Sequence, residues 1–182
     1  MRRGRVLVAC LAVTFVVSAA LATGASATSP LILKVGGVAA PVGSRASGKL
    51  DLTCAHLVFG GTLTVNGEPT DRAVFTEGGG TDTCEGVRVR GIVKAIKLTS
   101  KGHFVVVTHL TYEVLTSGAC VYVISKLAGT FTIPGPTTAT VAGTAKLAPK
   151  RSSAGCREHI AVTEAHAALY HGETTEPFFA ET

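Results

Sequence analysis

The strongest hydrophobic pattern in the chain lies between residues 104 and 133. Two segments, FVVVTHLTYEVL and CVYVISKLAGTFTI, are rich in β-branched and aromatic residues, and the short stretch TSGA separates them. Runs of this composition around a Ser-Gly turn are typical of an antiparallel hairpin. We therefore predict two long paired strands here.

Apolar and polar residues also alternate on both sides of this hairpin, in residues 87–98 and 139–147. Antiparallel neighbours must present their apolar residues to the same side of a sheet. The four segments satisfy this condition in succession, which predicts a four-strand meander over residues 87–147.

The aligned apolar faces also predict how the strands pair. They set Val89 opposite Tyr112, and Tyr112 opposite Val123. In the first strand Lys97 would then point inward, so we expect a bulge near Ile96.

The first half of the chain has shorter alternating segments, which predict strands at residues 31–35, 49–54, 57–65 and 72–76. Asn66-Gly67 is a favoured pair for a tight hairpin turn. Residues 36–48, rich in Gly, Ala, Pro and Ser, are expected to form a loop. The triple glycine within residues 77–82 predicts a flexible loop.

The C-terminal part is harder to interpret. In residues 157–170, Ile160 and Val162 alternate as in a strand, whereas the alanines fit one face of a helix. A strand is favoured because a last strand would close the sheet. The acidic and polar residues 172–182 are expected to form a flexible tail.

These segments predict one all-β domain, an antiparallel sandwich or flattened barrel of about eight strands. The expected organisation is a cleaved signal peptide (residues 1–27), an N-terminal strand and loop (28–48), a disulfide-stapled β domain (49–171) and the tail (172–182).

The N-terminus has the three parts of a secretory signal. Three arginines within the first five residues precede an uncharged apolar run, and residues 25–27 read Ala-Ser-Ala, a cleavage pattern. A membrane anchor is the alternative, but the run is short for a spanning helix. We expect a secreted, extracellular protein with no stable membrane span after cleavage.

Cleavage also changes the charge of the chain. Removal of the three arginines lowers the formal net charge of +5 by three, to +2. The basic character of the whole chain is therefore partly that of the export signal, and we expect no nucleic-acid partner.

Four cysteines follow the signal: Cys54, Cys84, Cys120 and Cys156. An even set in an exported chain predicts two disulfides. The chain after the last meander strand would return toward Cys120, which favours Cys120–Cys156 and leaves Cys54–Cys84. The absence of a CxxC pair argues against a zinc site.

Residues that could carry chemistry do not form a known motif. His159, His166 and His171 with Glu158 and Glu164 are the densest metal-ligand types, and a solvated polar edge is the simpler interpretation. Asp51 and His56 resemble the orienting and basic members of a hydrolytic site, but nothing specifies a serine for them. We assign no catalytic, metal-binding or cofactor-binding residue, and we predict no cofactor.

Four basic residues define a candidate surface patch: Arg88, Arg90, Lys94 and Lys126. An anionic polymer such as cell-wall material is its natural ligand class. Because Glu113 should lie opposite Arg88, a solvated face with cross-strand ion pairs is the simpler interpretation.

Two resemblances add to this picture. Cys120-Val121-Tyr122, residues 126–131 (KLAGTF) and Cys156 resemble uncharacterised small secreted β-rich proteins of actinobacterial type, which have no assigned activity. Residues 31–35 and 50–54 are similar to secreted subtilisin inhibitors, although the cysteine spacing differs. The first resemblance implies an exported β protein without transferable functional residues.

The expected function is a non-enzymatic module for extracellular or cell-surface binding or structure, with an unknown extracellular or cell-envelope partner. The main alternative is a carrier of a small apolar ligand inside a barrel, and a filled core is the simpler interpretation of its lining. That lining would be Phe104, Tyr112, Leu127 and Phe131. A secreted protease inhibitor or a hydrolase is a further alternative.

Overall fold

A computed structural model of the chain describes residues 29–52, 55–84, 86–115 and 119–182, with the backbone alone for residues 76–84. The predicted signal peptide lies outside the described residues. The strands are β1 (Ile32–Val35), β2 (Val38–Ala39), β3 (Arg45–Leu52), β4 (Ala55–Val65), β5 (Thr70–Cys84), β6 (Val87–Thr99), β7 (His103–Val114), β8 (Cys120–Thr130), β9 (Gly135–Pro136), β10 (Thr138–Leu147), β11 (His159–His171) and β12 (Phe179–Glu181). A 3-10 helix covers Pro149–Arg151.

Eight of these strands close into an antiparallel barrel in the order β10-β11-β3-β4-β5-β6-β7-β8. The prediction of an all-β antiparallel domain is confirmed, and so is the meander, because β6, β7, β8 and β10 are successive neighbours. Residues 159–171 form a strand, as the sequence favoured. In a closed barrel every strand has two neighbours, so no long sheet edge is left unpaired.

The remaining four strands form a second sheet in the order β2-β1-β12-β9. Leu33 and Ala180 of this sheet, and Phe178 just before β12, are fully buried and belong to the same hydrophobic cluster as the barrel interior. The Asn66 side chain accepts a hydrogen bond from the Leu33 N–H and donates to the carbonyl oxygens of Leu33 and Ala40, which attaches the sheet to the β4–β5 turn. The sheet therefore covers one end of the barrel.

Three predicted loops differ from the structure. Residues 36–48 contain β2 and the start of β3, and residues 77–82 continue β5, which pairs with β6 as far as Cys84. The expected tail, residues 172–182, contains β12, which pairs with β1 and β9. In each case pairing with another strand overrides the loop-like local composition. The partners of β2 and of the end of β5 are near in sequence, whereas β12 pairs with β1 from the other end of the chain.

The strand registers agree with the prediction only in part. Val89 lies opposite Tyr112 as expected, but Tyr112 lies opposite Tyr122, one residue from the predicted Val123. The reason is a bulge, because the β7–β8 register shifts between Val107 and Leu110. The predicted bulge in β6 occurs at residues 93–95 and leaves Lys97 exposed.

A disulfide joins Cys120 to Cys156, as predicted, and the two cysteines are 36 positions apart in sequence. It holds the segment after β10 against the start of β8, where the Ser152 hydroxyl also bonds to the backbone of Val121. The predicted pair Cys54–Cys84 lies outside the described residues, since Cys54 is not among them.

Candidate functional site

The four predicted patch residues lie on the outer surface of the barrel. Arg88, Arg90 and Lys94 alternate with inward-facing residues along β6, and the side chain of Lys94 is exposed at the bulge. Lys126 on β8 lies opposite Val107 of β7, and Val107 lies opposite Ala95, the residue that follows Lys94. The structure therefore places the four basic residues on β6 and β8, the two strands that flank β7. We call this surface the basic face.

Glu113 lies within the basic face and is almost fully buried, with 8% of its side chain exposed. Its carboxylate lies 2.6 Å from Arg90 Nη2, 3.3 Å from Arg151 Nη2 and 3.7 Å from Arg88 Nη1. The predicted pairing of Arg88 with Glu113 is confirmed. One carboxylate thus neutralises one of three guanidinium groups, and the cluster keeps an excess of positive charge.

Arg151 was not predicted as part of this cluster. It comes from the 3-10 helix after β10, which the Cys120–Cys156 disulfide holds near β8. The sequence does indicate the position of this loop, because the predicted disulfide brings it back toward Cys120. Strand alternation cannot place Arg151, because a loop arginine belongs to no periodic pattern.

The charged residues are divided unequally between the two halves of the barrel. Strands β6, β7, β8 and β10 are contiguous and carry six Lys or Arg residues but one acidic residue, Glu113. Strands β11, β3, β4 and β5 carry three Lys or Arg residues and five acidic residues. One half of the barrel is therefore strongly basic, which the net charge of the chain alone does not reveal.

A second surface lies on the other side of the barrel, across β3, β11, β10 and the end of β8. It is a cleft of about 370 Å³, which we call the polar groove. Its polar lining includes Lys49, Asp51, Thr138, Thr140, His166 and Tyr170. The Lys49 ammonium group lies 5.1 Å from the centre of the Tyr170 ring, a cation–π contact at one end of the groove.

Direct cross-strand pairing aligns polar residues across this groove. His56 of β4 lies opposite Asp51, Asp51 lies opposite His166, and His166 lies opposite Thr140. The Asp51 Oδ1 is 2.9 Å from His56 Nδ1, and the Thr140 hydroxyl is 3.5 Å from His166 Nδ1. Barrel closure places these residues side by side although 115 positions separate Asp51 from His166 in the chain.

A bulge in β11 marks the far end of the groove. Glu164 has a left-handed backbone, with φ of 56°, and the β10–β11 register shifts beside it. Thr163 and Glu164 are both exposed as a result, and they line a second cleft of about 440 Å³ with Asp51 and His166. Such bulges redirect side chains, often near functional sites.

Within the described part of the chain, neither cleft contains a serine or cysteine nucleophile or a grouped set of metal ligands. Asp51 and His56 do meet as an acid–histidine pair, but the residues that line the two clefts include no serine or cysteine. Among the described residues, no group of three or more His, Cys, Asp or Glu side chains is placed to share a metal ion. His159, His166 and His171 are spread along the length of β11.

The residues suggested for a ligand cavity pack against one another inside the barrel. Phe104 and Leu127 are fully buried, and the rings of Phe104 and Phe131 meet edge to face at 6.2 Å. Tyr112 is only partly buried at the margin of this cluster. This packing favours a filled interior over a cavity at these residues.

One interior group is unusual for a barrel core. Asp71 of β5 is fully buried, and its Oδ2 has no hydrogen-bond partner in the described part of the protein. Burial raises the pKa of Asp71 from 3.8 to about 7, although the backbone N–H groups of Glu68 and Gly67 favour the charged carboxylate. Asp71 lies beneath the turn that attaches the second sheet, so it is a structural group rather than part of either surface.

Where the structure describes the chain, no helix combines the length and the apolar composition needed to cross a membrane. Comparisons with protein-family models, with curated proteins and with solved structures found no match to this chain. The functional argument therefore depends on the geometry and charge of the two surfaces.

Proposed function

We propose that the protein is exported and acts outside the cell as a non-enzymatic module that binds an anionic polymer of the cell envelope through its basic face. The unequal division of charge carries this proposal. Six basic residues and one acidic residue lie on four contiguous strands, and the acidic residue is already surrounded by three arginines.

The geometry of the basic face suits repeated anionic groups. Arginine guanidinium groups bind phosphate and carboxylate oxygens through pairs of hydrogen bonds, and lysines add point charges. The Glu113 carboxylate fixes the positions of Arg88, Arg90 and Arg151, so less side-chain freedom is lost when a ligand binds. Lys94 and Lys126 extend the positive surface away from this fixed cluster.

The predicted export agrees with this role. The Cys120–Cys156 disulfide is of the kind that persists in oxidising compartments outside the cytoplasm. The N-terminal sequence supports secretion independently, through its arginines, apolar run and Ala-Ser-Ala pattern.

The direct test is binding of the purified mature chain to a glycerol-phosphate polymer, with neutral dextran as the uncharged comparison. We expect binding to the phosphate polymer alone, with an affinity that falls at least tenfold between about 50 and 200 mM salt because bound counterions are released. Equal binding to dextran, or an affinity that salt does not change, would contradict the proposal.

A further inference from the structure

We infer that the polar groove is a second binding site, independent of the basic face, and that it holds a neutral, hydroxyl-rich ligand, namely a short segment of a polysaccharide. In the closed barrel β11 and β6 are separated by four strand steps in either direction, so the β11 wall of the groove lies opposite Arg88, Arg90 and Lys94, whereas its threonine wall lies on β8 and β10. Its lining chemistry also differs from that of the basic face.

One wall of the groove consists of threonine hydroxyls. Thr130, Thr132, Thr138 and Thr140 all line the cleft and are all exposed. Within the described residues, the hydroxyls of Thr130, Thr132 and Thr138 make no hydrogen bond. Each hydroxyl can donate one hydrogen bond and accept others, which is the capacity that a sugar hydroxyl requires of its partner.

The other wall supplies a fixed acceptor and an apolar surface. The contact with His56 holds the Asp51 carboxylate in place, and its second oxygen can accept a hydrogen bond from a ligand hydroxyl. The half-buried ring of Tyr170 provides apolar surface at this wall, with Ala167 and Ala168 buried beside it. A saccharide presents both hydroxyl groups and C–H faces, so it would contact both the hydrogen-bonding side chains and the apolar surface of the groove.

The shape of the groove fits an extended ligand. Asp51 and His166 line both clefts, so the two clefts adjoin each other. Along β11 the adjoining clefts extend from Tyr170 to Glu164, about 20 Å at the usual rise per strand residue. The bulge at Glu164 keeps two polar side chains at its far end exposed.

The charges of the groove exclude the ligand class proposed for the basic face. Lys49 is offset by Asp51 and Glu164, so the groove has no excess of positive charge to hold a polyanion. Among the described residues, its acidic and histidine side chains do not come together in a group of three that could hold a metal ion. The exposed threonine hydroxyls then favour a neutral hydrogen-bonding ligand.

The test is titration of the 15N-labelled mature chain with cellotetraose, chitotetraose, maltotetraose and xylotetraose, followed by amide resonances. We expect at least one tetrasaccharide to shift resonances of residues 138–140 and 166–170, with a Kd below about 1 mM. The double variant Thr130→Val, Thr138→Val removes two hydroxyls while keeping the side-chain shape, and it should weaken that binding at least fivefold.

A matched control separates the groove from general effects of the substitution. Thr62→Val with Thr144→Val removes two exposed strand hydroxyls that do not line the groove, and it should leave the affinity unchanged. The inference is overturned if no tetrasaccharide moves the groove resonances, or if both double variants bind equally. It is also overturned if zinc chloride alone moves these resonances and no saccharide does.

Discussion

The Glu113 carboxylate lies 2.6 Å from the guanidinium group of Arg90, although Arg88 is the residue directly opposite Glu113 in the β6–β7 register. The diagonal contact leaves Arg88 at 3.7 Å and admits Arg151 from the neighbouring loop. Glu113 is therefore the centre of the basic face, and it holds together three cations that would otherwise repel one another.

Replacing Glu113 by Gln should destabilise the fold. The substitution keeps the shape of the side chain but leaves three arginines without their shared counter-charge. We expect a loss of about 1–2 kcal/mol in the free energy of unfolding, less than for a fully buried pair because the arginines are about half exposed. Urea unfolding at neutral pH measures this loss.

The control for Glu113 is Glu173→Gln. Glu173 is 93% exposed and lies 3.9 Å from Arg45, so its replacement should change stability by less than about 0.5 kcal/mol. Equal effects of the two substitutions would show that the Glu113 cluster contributes no more than an ordinary surface ion pair.

Asp71 should make stability fall as the pH rises. Its pKa is about 7 in the folded protein against 3.8 ordinarily, so between these values the folded state binds more protons than the unfolded state. Stability from this group is therefore complete below about pH 4 and is lost up to about pH 7, by at most about 4 kcal/mol. Asp71→Asn cannot ionise, so we expect its stability to decline less over this range.

Urea unfolding at several pH values between about 4 and 7 tests this prediction. Glu176→Gln, which changes an exposed acid, is the comparison and should keep the pH dependence of the parent chain. A slope in Asp71→Asn as steep as that of the parent chain would mean that Asp71 is already ionised in the folded barrel.

Two glycines provide a test of the barrel itself. A Cβ added at Gly129 would lie 2.0 Å from the carbonyl oxygen of Thr140 on the next strand, whereas one added at Gly60 would meet no atom within 4 Å. Gly129→Ala should therefore cost about 2–3 kcal/mol or more, because the backbone of β8 or β10 must move. Gly60→Ala should be neutral or slightly stabilising.

Thermal unfolding of the two alanine variants measures the difference. If Gly129→Ala unfolds at the same temperature as Gly60→Ala, then β8 and β10 are not paired as closely as the structure places them. The comparison requires no knowledge of function, so it tests the fold independently of both binding surfaces.

Alternation along the sequence predicted those parts of the fold that depend on neighbouring strands. It identified the meander, the pairing of Val89 with Tyr112 and the disulfide between Cys120 and Cys156. It missed the offset between Tyr112 and Tyr122, because a bulge adds a residue that a strict two-residue period cannot represent.

Long-range pairing accounts for two features that the sequence did not predict, the ordered C-terminal strand and the polar groove. Phe178 was placed in a flexible tail because nothing near it in sequence indicates that β12 pairs with β1, at the opposite end of the chain. The polar groove was missed for the same reason. Asp51 and His166 become neighbours only when β3 pairs with β11 to close the barrel.

The central claim is that the position of the basic residues, and not the net charge of the chain, produces binding to an anionic polymer. Two triple variants lower the net charge equally: Lys94→Gln with Lys97→Gln and Lys126→Gln on the basic half, and Arg45→Gln with Lys49→Gln and Arg72→Gln on the other half.

Isothermal titration of both variants with the glycerol-phosphate polymer at about 100 mM salt is the most direct measurement. We predict that the first triple variant loses at least tenfold in affinity, while the second loses less than twofold. Equal losses in the two variants, or no loss in either, would contradict the claim.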